Sequence, residues 1–155
     1  MPRLSRAESQ ASTRERLLDA ARAIFVRDGY VRASLEAIAD EAGFSKGAVY
    51  SNFEGKEALF LELLRRKFEE DQANLEALLA QVDDIEGLLA ALEGYYATRS
   101  DVLDFTLVSA EFGTQVRLAS AYAEAYARLY ADQRRQLGVP PRCWKAGAIS
   151  KERNC

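Results

Sequence analysis

The chain has 155 residues, of which 48% are apolar, enough for one ordinary domain or for a small head joined to a helical body. It contains no His, which excludes imidazole general-base catalysis and most catalytic zinc sites. Both cysteines, Cys143 and Cys155, lie near the C-terminal end, so we predict no disulfide framework and no metal site for the rest of the chain. No apolar run approaches the length of a membrane span, and no secretory segment follows the N-terminus. We therefore expect a cytoplasmic protein with no membrane partner.

The formal net charge of −3 is unevenly distributed along the chain. Residues 1–56 carry 9 basic and 8 acidic side chains, whereas residues 57–155 carry 12 basic and 16 acidic ones. The sign of this difference favours a nucleic-acid contact by the N-terminal part, but its size is small. Charge alone therefore predicts no function.

The composition predicts an all-α fold, because only 3 Pro and 9 Gly interrupt long stretches of strong helix formers. We predict that a first helix begins at Ser12, whose hydroxyl and the Glu15 carboxylate have the spacing of a capping box. It should end at Asp28 and Gly29, where glycine accepts a left-handed conformation. Its predicted buried stripe is Leu17, Leu18, Ala21, Ile24 and Phe25.

Two short helices follow. Ser34 is the expected N-cap of the second helix, Gly43 breaks it, and Ser45 is the expected N-cap of a third helix that runs through Val49. Two short helices separated by a tight, Gly-containing turn are typical of a helix-turn-helix. The apolar positions of the second helix are Leu35, Ile38, Ala39 and Ala42.

A longer fourth helix should begin near Lys56, with Leu59, Phe60, Leu63 and Leu64 buried. This helix and those that follow are expected at roughly 56–80, 84–99, 102–113 and 116–137, with breaks at Asp83-Asp84, Ser100-Asp101 and Gly113-Thr114. Helical periodicity vanishes from about Gly138. We therefore divide the chain into a helix-turn-helix head (1–55), a helical body (56–137) and an atypical tail (138–155).

The chain closely resembles the tetracycline-repressor (TetR) family of bacterial regulators, most strongly over about residues 12–64. The resemblance rests on the aromatic residue after Asp28-Gly29, Ile38-Ala39, Ala42-Gly43, Ser45-Lys46-Gly47, Tyr50 with Asn52-Phe53, and Lys56-Glu57-Ala58-Leu59. It implies a DNA-binding transcriptional regulator, a ligand-responsive repressor that binds a palindromic operator as a homodimer. It implies neither an enzyme nor a cofactor.

The start of the third helix suits a DNA contact, because its free N–H groups form a positive end and Lys46 adds charge beside it. Gly47 has no side chain to hold the helix away from a groove, and Tyr50 offers a phenolic donor. The resemblance implies that Ser34 contacts the DNA backbone, that residues 45–47 and 50 face the major groove, and that Lys56 binds a phosphate. The predicted DNA-binding residues are Ser34, Ser45, Lys46, Gly47, Tyr50, Ser51, Asn52 and Lys56.

Alternatives remain for several of these residues. Ser34 could be a cap without a DNA contact, and Lys46 and Lys56 could be solvated surface charges. Arg3 and Arg6 could form a minor-groove arm, although a frayed terminus is the expected state.

The resemblance also implies that the body binds a small-molecule effector and dimerises. Aromatic side chains with a few polar groups could line a mostly apolar pocket, although ordinary core is the alternative for each, and a buried Glu111 would indicate a cationic ligand. The tail lacks the further amphipathic helix expected of the family, which suggests a truncated or altered C-terminus and a dimer that is weak or rebuilt around the 116–137 helix. The predicted ligand-binding residues are Tyr96, Phe105, Glu111, Phe112 and Tyr126.

A competing interpretation is a helical interaction module, a truncated regulator that no longer binds DNA productively, because a head without firm dimerisation loses half its contacts. An enzyme is disfavoured, since no acid-base or nucleophile cluster stands out in the sequence.

Overall fold

The computed structural model describes residues 5–97, 100–119 and 121–138. Within these ranges the chain is all-helical, as predicted, and contains no strand. Two predictions fall on residues outside these ranges: the minor-groove arm at Arg3, and the altered tail beyond Gly138 with the weak or rebuilt dimer inferred from it. The helices are α1 (Arg6–Asp28), α2 (Leu35–Ala42), α3 (Lys46–Asn52), α4 (Lys56–Leu79), α5 (Ile85–Ala97), α6 (Ser100–Ala119) and α7 (Ala123–Gln136).

The start of α1 differs from the prediction. The capping box is formed by Ser5 and Glu8: the Glu8 N–H donates to the Ser5 hydroxyl at 3.2 Å, and the Ser5 N–H donates to the Glu8 carboxylate at 2.7 Å. These hydrogen bonds hold the pKa of Glu8 below its usual value. Ser12 lies inside the helix, because Ser5 and Glu8 have the same spacing as Ser12 and Glu15 and begin the helix seven residues earlier. Arg6 opens α1, so the expectation of a frayed terminus is wrong at that residue.

The helix-turn-helix is confirmed. Ser34 and Ser45 cap α2 and α3 through hydrogen bonds from Ala37 and Ala48 N–H groups. Gly43 ends α2 in the left-handed conformation, at φ 72° and ψ 33°. Gly29 also ends α1 with a positive φ of 79°, but its ψ of 163° is extended instead of helical.

The predicted break at Gly113 and Thr114 is wrong, since α6 continues through both residues to Ala119. A Cβ atom at position 113 would clash with the hydroxyl oxygen of Tyr126 on α7. Glycine therefore leaves room here for a side chain of the neighbouring helix, and it does not end α6.

The core is one continuous cluster that crosses the predicted boundary between residues 55 and 56. Phe60 of α4 lies at its centre, fully buried. Its ring centroid lies 4.5 Å from that of Phe112 on α6, and 5.0 Å and 5.2 Å from those of Phe25 and Tyr30. Aromatic rings from α1, from the α1–α2 connection (residues 29–34), from α4 and from α6 thus pack together, and this packing joins the head to the body.

Helices α5 and α7 are peripheral: none of their described residues is buried. Ile85 and Leu89 of α5 remain 72% and 62% exposed. None of the helices in the described ranges combines the length and apolarity that crossing a bilayer requires.

The central position of Phe60 predicts a large effect of its removal. Phe60→Ala should lower the free energy of unfolding by about 3–5 kcal/mol, through lost burial and the cavity left among four rings. Leu89→Ala on the exposed face of α5 should change it by less than about 0.5 kcal/mol. Chemical denaturation monitored by circular dichroism measures both, and a Phe60→Ala cost as small as the control would contradict the arrangement.

Candidate nucleic-acid interface

One side of helix α3 packs in the core, and the other is exposed to solvent. Val49 is fully buried against the rest of the head. The opposite side of the helix is exposed, and Tyr50 there keeps 52% of its surface accessible. A single buried contact is enough to fix the rotation of so short a helix about its axis, because the exposed positions then follow from the helical repeat. The residues of this exposed face are Ser45, Lys46, Gly47, Tyr50 and Ser51.

Two arginines of α1 hold the C-terminal ends of both short helices. Arg14 donates to the carbonyl oxygen of Asn52 at the end of α3, at 2.6 Å, and Arg16 donates to that of Ala42 at the end of α2, at 3.0 Å. A cation at a helix C-terminus satisfies an unpaired carbonyl and opposes the negative end of the helix dipole. The sequence analysis missed both roles, since each partner lies at least 26 residues away along the chain.

Lys46 is ion-paired with Glu36 of α2, and both side chains are about half exposed. The hydrogen bond from Lys46 lowers the pKa of Glu36. The Lys46 ammonium also lies 5.8 Å from the centre of the Tyr50 ring. The cation is therefore held at the edge of the exposed face by a bond that surrounding water weakens, and a phosphate could replace the carboxylate.

Ser51 and Asn52 use their side chains within α3. The Ser51 hydroxyl and the Asn52 amide both donate to the carbonyl oxygen of Ala48, at 2.9 Å and 2.8 Å. Ser51 is exposed and Asn52 is half-buried. Of the two, Ser51 is thus better placed to reach a ligand.

Lys56 has a partner that the sequence did not indicate. Its ammonium donates to the carbonyl oxygens of Tyr30, Val31 and Ala33, at 3.0 Å, 3.3 Å and 3.0 Å. An ammonium has three donors, so these bonds use all of them. Lys56 therefore holds the α1–α2 connection, and its predicted phosphate contact, which stays a prediction, requires exchange of at least one bond.

A cavity of about 200 Å³ lies between α4, α5 and α7. Of the predicted ligand-binding residues, Tyr96 lines this cavity. Phe105 and Tyr126 line a wider hollow of about 300 Å³ between α4, α6 and α7. Asp71, the charged residue of the cavity wall, is ion-paired with the buried Lys67. The remaining wall consists of Phe68, Gln72, Leu75, Leu78, Leu92, Tyr95, Gln133, Gln136 and Leu137.

Glu111 and Phe112 line neither of these two spaces. Phe112 is fully buried in the aromatic core. One carboxylate oxygen of Glu111 accepts from the Tyr30 N–H at 2.7 Å and the other from the Val31 N–H at 3.4 Å. The carboxylate thus binds N–H groups left without helical partners after α1, which satisfies its charge without a cationic ligand.

Residues 17–63, from the middle of α1 into α4, match the family model described as bacterial regulatory proteins, tetR family. Residues 17–63 thus form a helix-turn-helix head of the TetR type, and the family is one of regulators.

Similarity to individual proteins extends beyond the head. An HTH-type transcriptional repressor of Mycobacterium tuberculosis is 28% identical over 132 residues, which is 85% of this chain and 65% of the repressor. A structure of a putative TetR-family transcriptional regulator from Mesorhizobium loti superposes with a TM-score of 0.66 at 25% identity, over 88% of this chain and 66% of that one. The SmeT–triclosan complex gives a TM-score of 0.53 at 27% identity, over 81% of this chain and 60% of that one. The chain thus spans slightly less than two thirds of the length of each.

The two glycines of the helix-turn-helix should respond oppositely to alanine. Gly43→Ala should lower the free energy of unfolding by about 1–2 kcal/mol, because a side chain is strained at φ 72° even where space is available. Gly47→Ala should raise it by about 0.5–1 kcal/mol, because Gly47 has ordinary helical geometry. Urea denaturation of both variants measures the difference, and destabilisation by Gly47→Ala would contradict the assigned geometry.

Proposed function

We propose that this chain is a DNA-binding transcriptional regulator of the TetR family, a ligand-responsive repressor that binds a palindromic operator as a homodimer in the cytoplasm. The observation that carries the proposal is the exposed face of α3, which combines a helix N-terminus, a weakly held cation and an exposed phenol on a helix whose other side is fixed in the core.

The physical basis is the match between this face and a major groove. Backbone N–H groups at the start of α3 favour a phosphate or a base acceptor, and Gly47 allows the helix to approach closely. Lys46 exchanges Glu36 for a phosphate, and Tyr50 donates from its hydroxyl. Two heads read successive major grooves when they lie about 34–36 Å apart, which is why a dimer and a palindromic site belong together.

The cavity between α4, α5 and α7 is the effector site in this proposal. Its wall is mostly apolar and aromatic, with three amide side chains and one neutralised carboxylate to orient a ligand. Its volume of about 200 Å³ favours a compact compound. The relation to SmeT, solved with triclosan, supports a small apolar aromatic as the first probe.

DNA recognition is tested by selection of bound duplexes from a random pool, followed by affinity measurements on the enriched site at several salt concentrations. Tyr50→Phe should weaken binding by about tenfold through loss of one hydrogen bond to a charged or polar acceptor. Lys46→Ala should reduce the magnitude of the slope of log affinity against log salt by about 0.9, the value for one phosphate contact.

Arg128→Ala is the matched control. Like Lys46, Arg128 is an exposed cation paired with a glutamate, Glu124, but this pair lies on α7. It should leave both the affinity and the slope unchanged. Recovery of no enriched sequence, or equal behaviour of the Lys46 and Arg128 variants, would contradict DNA recognition by α3 and support an interaction module instead.

The effector site is tested by thermal unfolding with and without triclosan. Triclosan should raise the unfolding midpoint of the unaltered chain, since a ligand that binds only the folded state stabilises it. Leu92→Trp fills the cavity and should abolish the shift, whereas Leu89→Trp, at an exposed position of the same helix, should retain it. The absence of a shift in the unaltered chain, or equal shifts in all three chains, would contradict this assignment.

A further inference from the structure

One peptide group of the α1–α2 connection lies between two opposite charges from different helices. Its N–H, from Val31, faces the Glu111 carboxylate of α6 at 3.4 Å. Its carbonyl oxygen, from Tyr30, accepts from the Lys56 ammonium of α4 at 3.0 Å. The peptide dipole thus lies between a carboxylate and an ammonium that are 55 positions apart in the sequence.

Neighbouring peptide groups reinforce this arrangement. Glu111 takes its shorter hydrogen bond, 2.7 Å, from the Tyr30 N–H, and Lys56 donates also to Val31 and Ala33 carbonyls. Both charges polarise the same short segment, so each strengthens the hydrogen bonds of the other. The loss of either charge should therefore loosen the bonds that the other makes.

The backbone at Gly29 also lies close to the Glu111 side chain. A Cβ atom at Gly29 would lie 3.1 Å from a carboxylate oxygen of Glu111, so the connection passes directly over that side chain. Gly29 has a positive φ of 79°, which only glycine adopts without strain. Two independent constraints thus keep the head backbone against α6 at this point.

A chain of aromatic rings leads from the same part of α6 to the cavity wall. Phe112, next to Glu111, has its ring centroid 5.6 Å from that of Tyr126, which lies 4.8 Å from that of Tyr130, and Tyr130 lies 5.0 Å from Phe68. Phe68 lines the cavity between α4, α5 and α7. Phe112, the chain neighbour of the residue that holds the α1–α2 connection, is therefore linked by successive ring contacts to the proposed effector site.

We propose that Glu111 is a positioning residue for DNA binding, which acts through the Tyr30–Val31 peptide on Lys56 and so fixes the orientation of α2 and α3 relative to the body. The inference rests on the proposed function and deepens it, because it names the contact through which the body controls the head. Glu111 touches neither DNA nor effector in this account.

The test is a double-mutant cycle on the operator recovered by selection, with the full chain at a temperature where every variant is folded. Glu111→Gln keeps the shape of the side chain and removes its charge, and Lys56→Met removes the ammonium. Each single change should weaken operator binding by about tenfold. The double variant should also be weaker by only about tenfold, because both changes interrupt one path.

A second readout is specific to the geometry. Hydrogen exchange of the Tyr30 amide, followed by NMR, should accelerate at least about tenfold in the Glu111→Gln chain, since its shorter hydrogen bond is weakened. Glu124→Gln, an exposed glutamate of α7 that is paired with Arg128, is the control and should change neither exchange nor affinity.

The outcomes separate this inference from the proposed function. A parent chain that binds no duplex contradicts the proposed function. A parent chain that binds its operator, together with a Glu111→Gln chain that binds it equally well, overturns the positioning role alone. A roughly hundredfold loss in the double variant would also overturn it, because additive effects mean that Glu111 and Lys56 act independently.

Discussion

The packing of Phe60 against rings from three other elements is the constraint on which the head depends. Helices α2 and α3 have only eight and seven residues, too few to be stable alone. Val49 is the buried residue that α3 contributes, so the orientation of α3 is set by what it packs on. The main packing partner of α3 is α2, and α2 packs on α1. Helix α1 in turn meets α4 and the α1–α2 connection at Phe60. Helix α3 is thus positioned, through α2 and α1, by a core that includes the body.

Polar contacts then remove the freedom that apolar packing leaves. Rings can slide past each other at small cost, whereas a hydrogen bond to a backbone carbonyl fixes a distance and a direction. Arg14 and Arg16 fix the ends of α3 and α2, and Lys56 and Glu111 fix the connection that precedes them. Because Glu111 belongs to α6, a change in the body reaches the head through a defined bond as well as through general packing.

Features that depend only on neighbouring residues can be predicted from the sequence. The caps at Ser34 and Ser45, the stripe of α2 and the left-handed Gly43 depend on neighbours within a few residues, and the structure confirms them. Ser5 with Glu8 and Ser12 with Glu15 have the same spacing, and the spacing alone does not tell which pair begins α1. The prediction of Ser12 is wrong.

Residues with distant partners could not be assigned in this way. Glycine is common at helix ends, but Gly113 lies inside α6 and leaves space for the Tyr126 side chain of α7. The partners of Glu111 and Arg14 lie 81 and 38 residues away, at separations for which sequence periodicity carries no information. The DNA-binding and effector residues stay predictions, since their ligands define them.

The central claim, that the exposed face of α3 is the DNA-binding surface, is tested most directly by NMR titration of the full chain with a duplex that it selects. Amide signals of residues 45–52 should shift most, with smaller changes in the α1–α2 connection and none along the exposed side of α5. Shifts confined to α5 and α7, with residues 45–52 unaffected, would contradict the account.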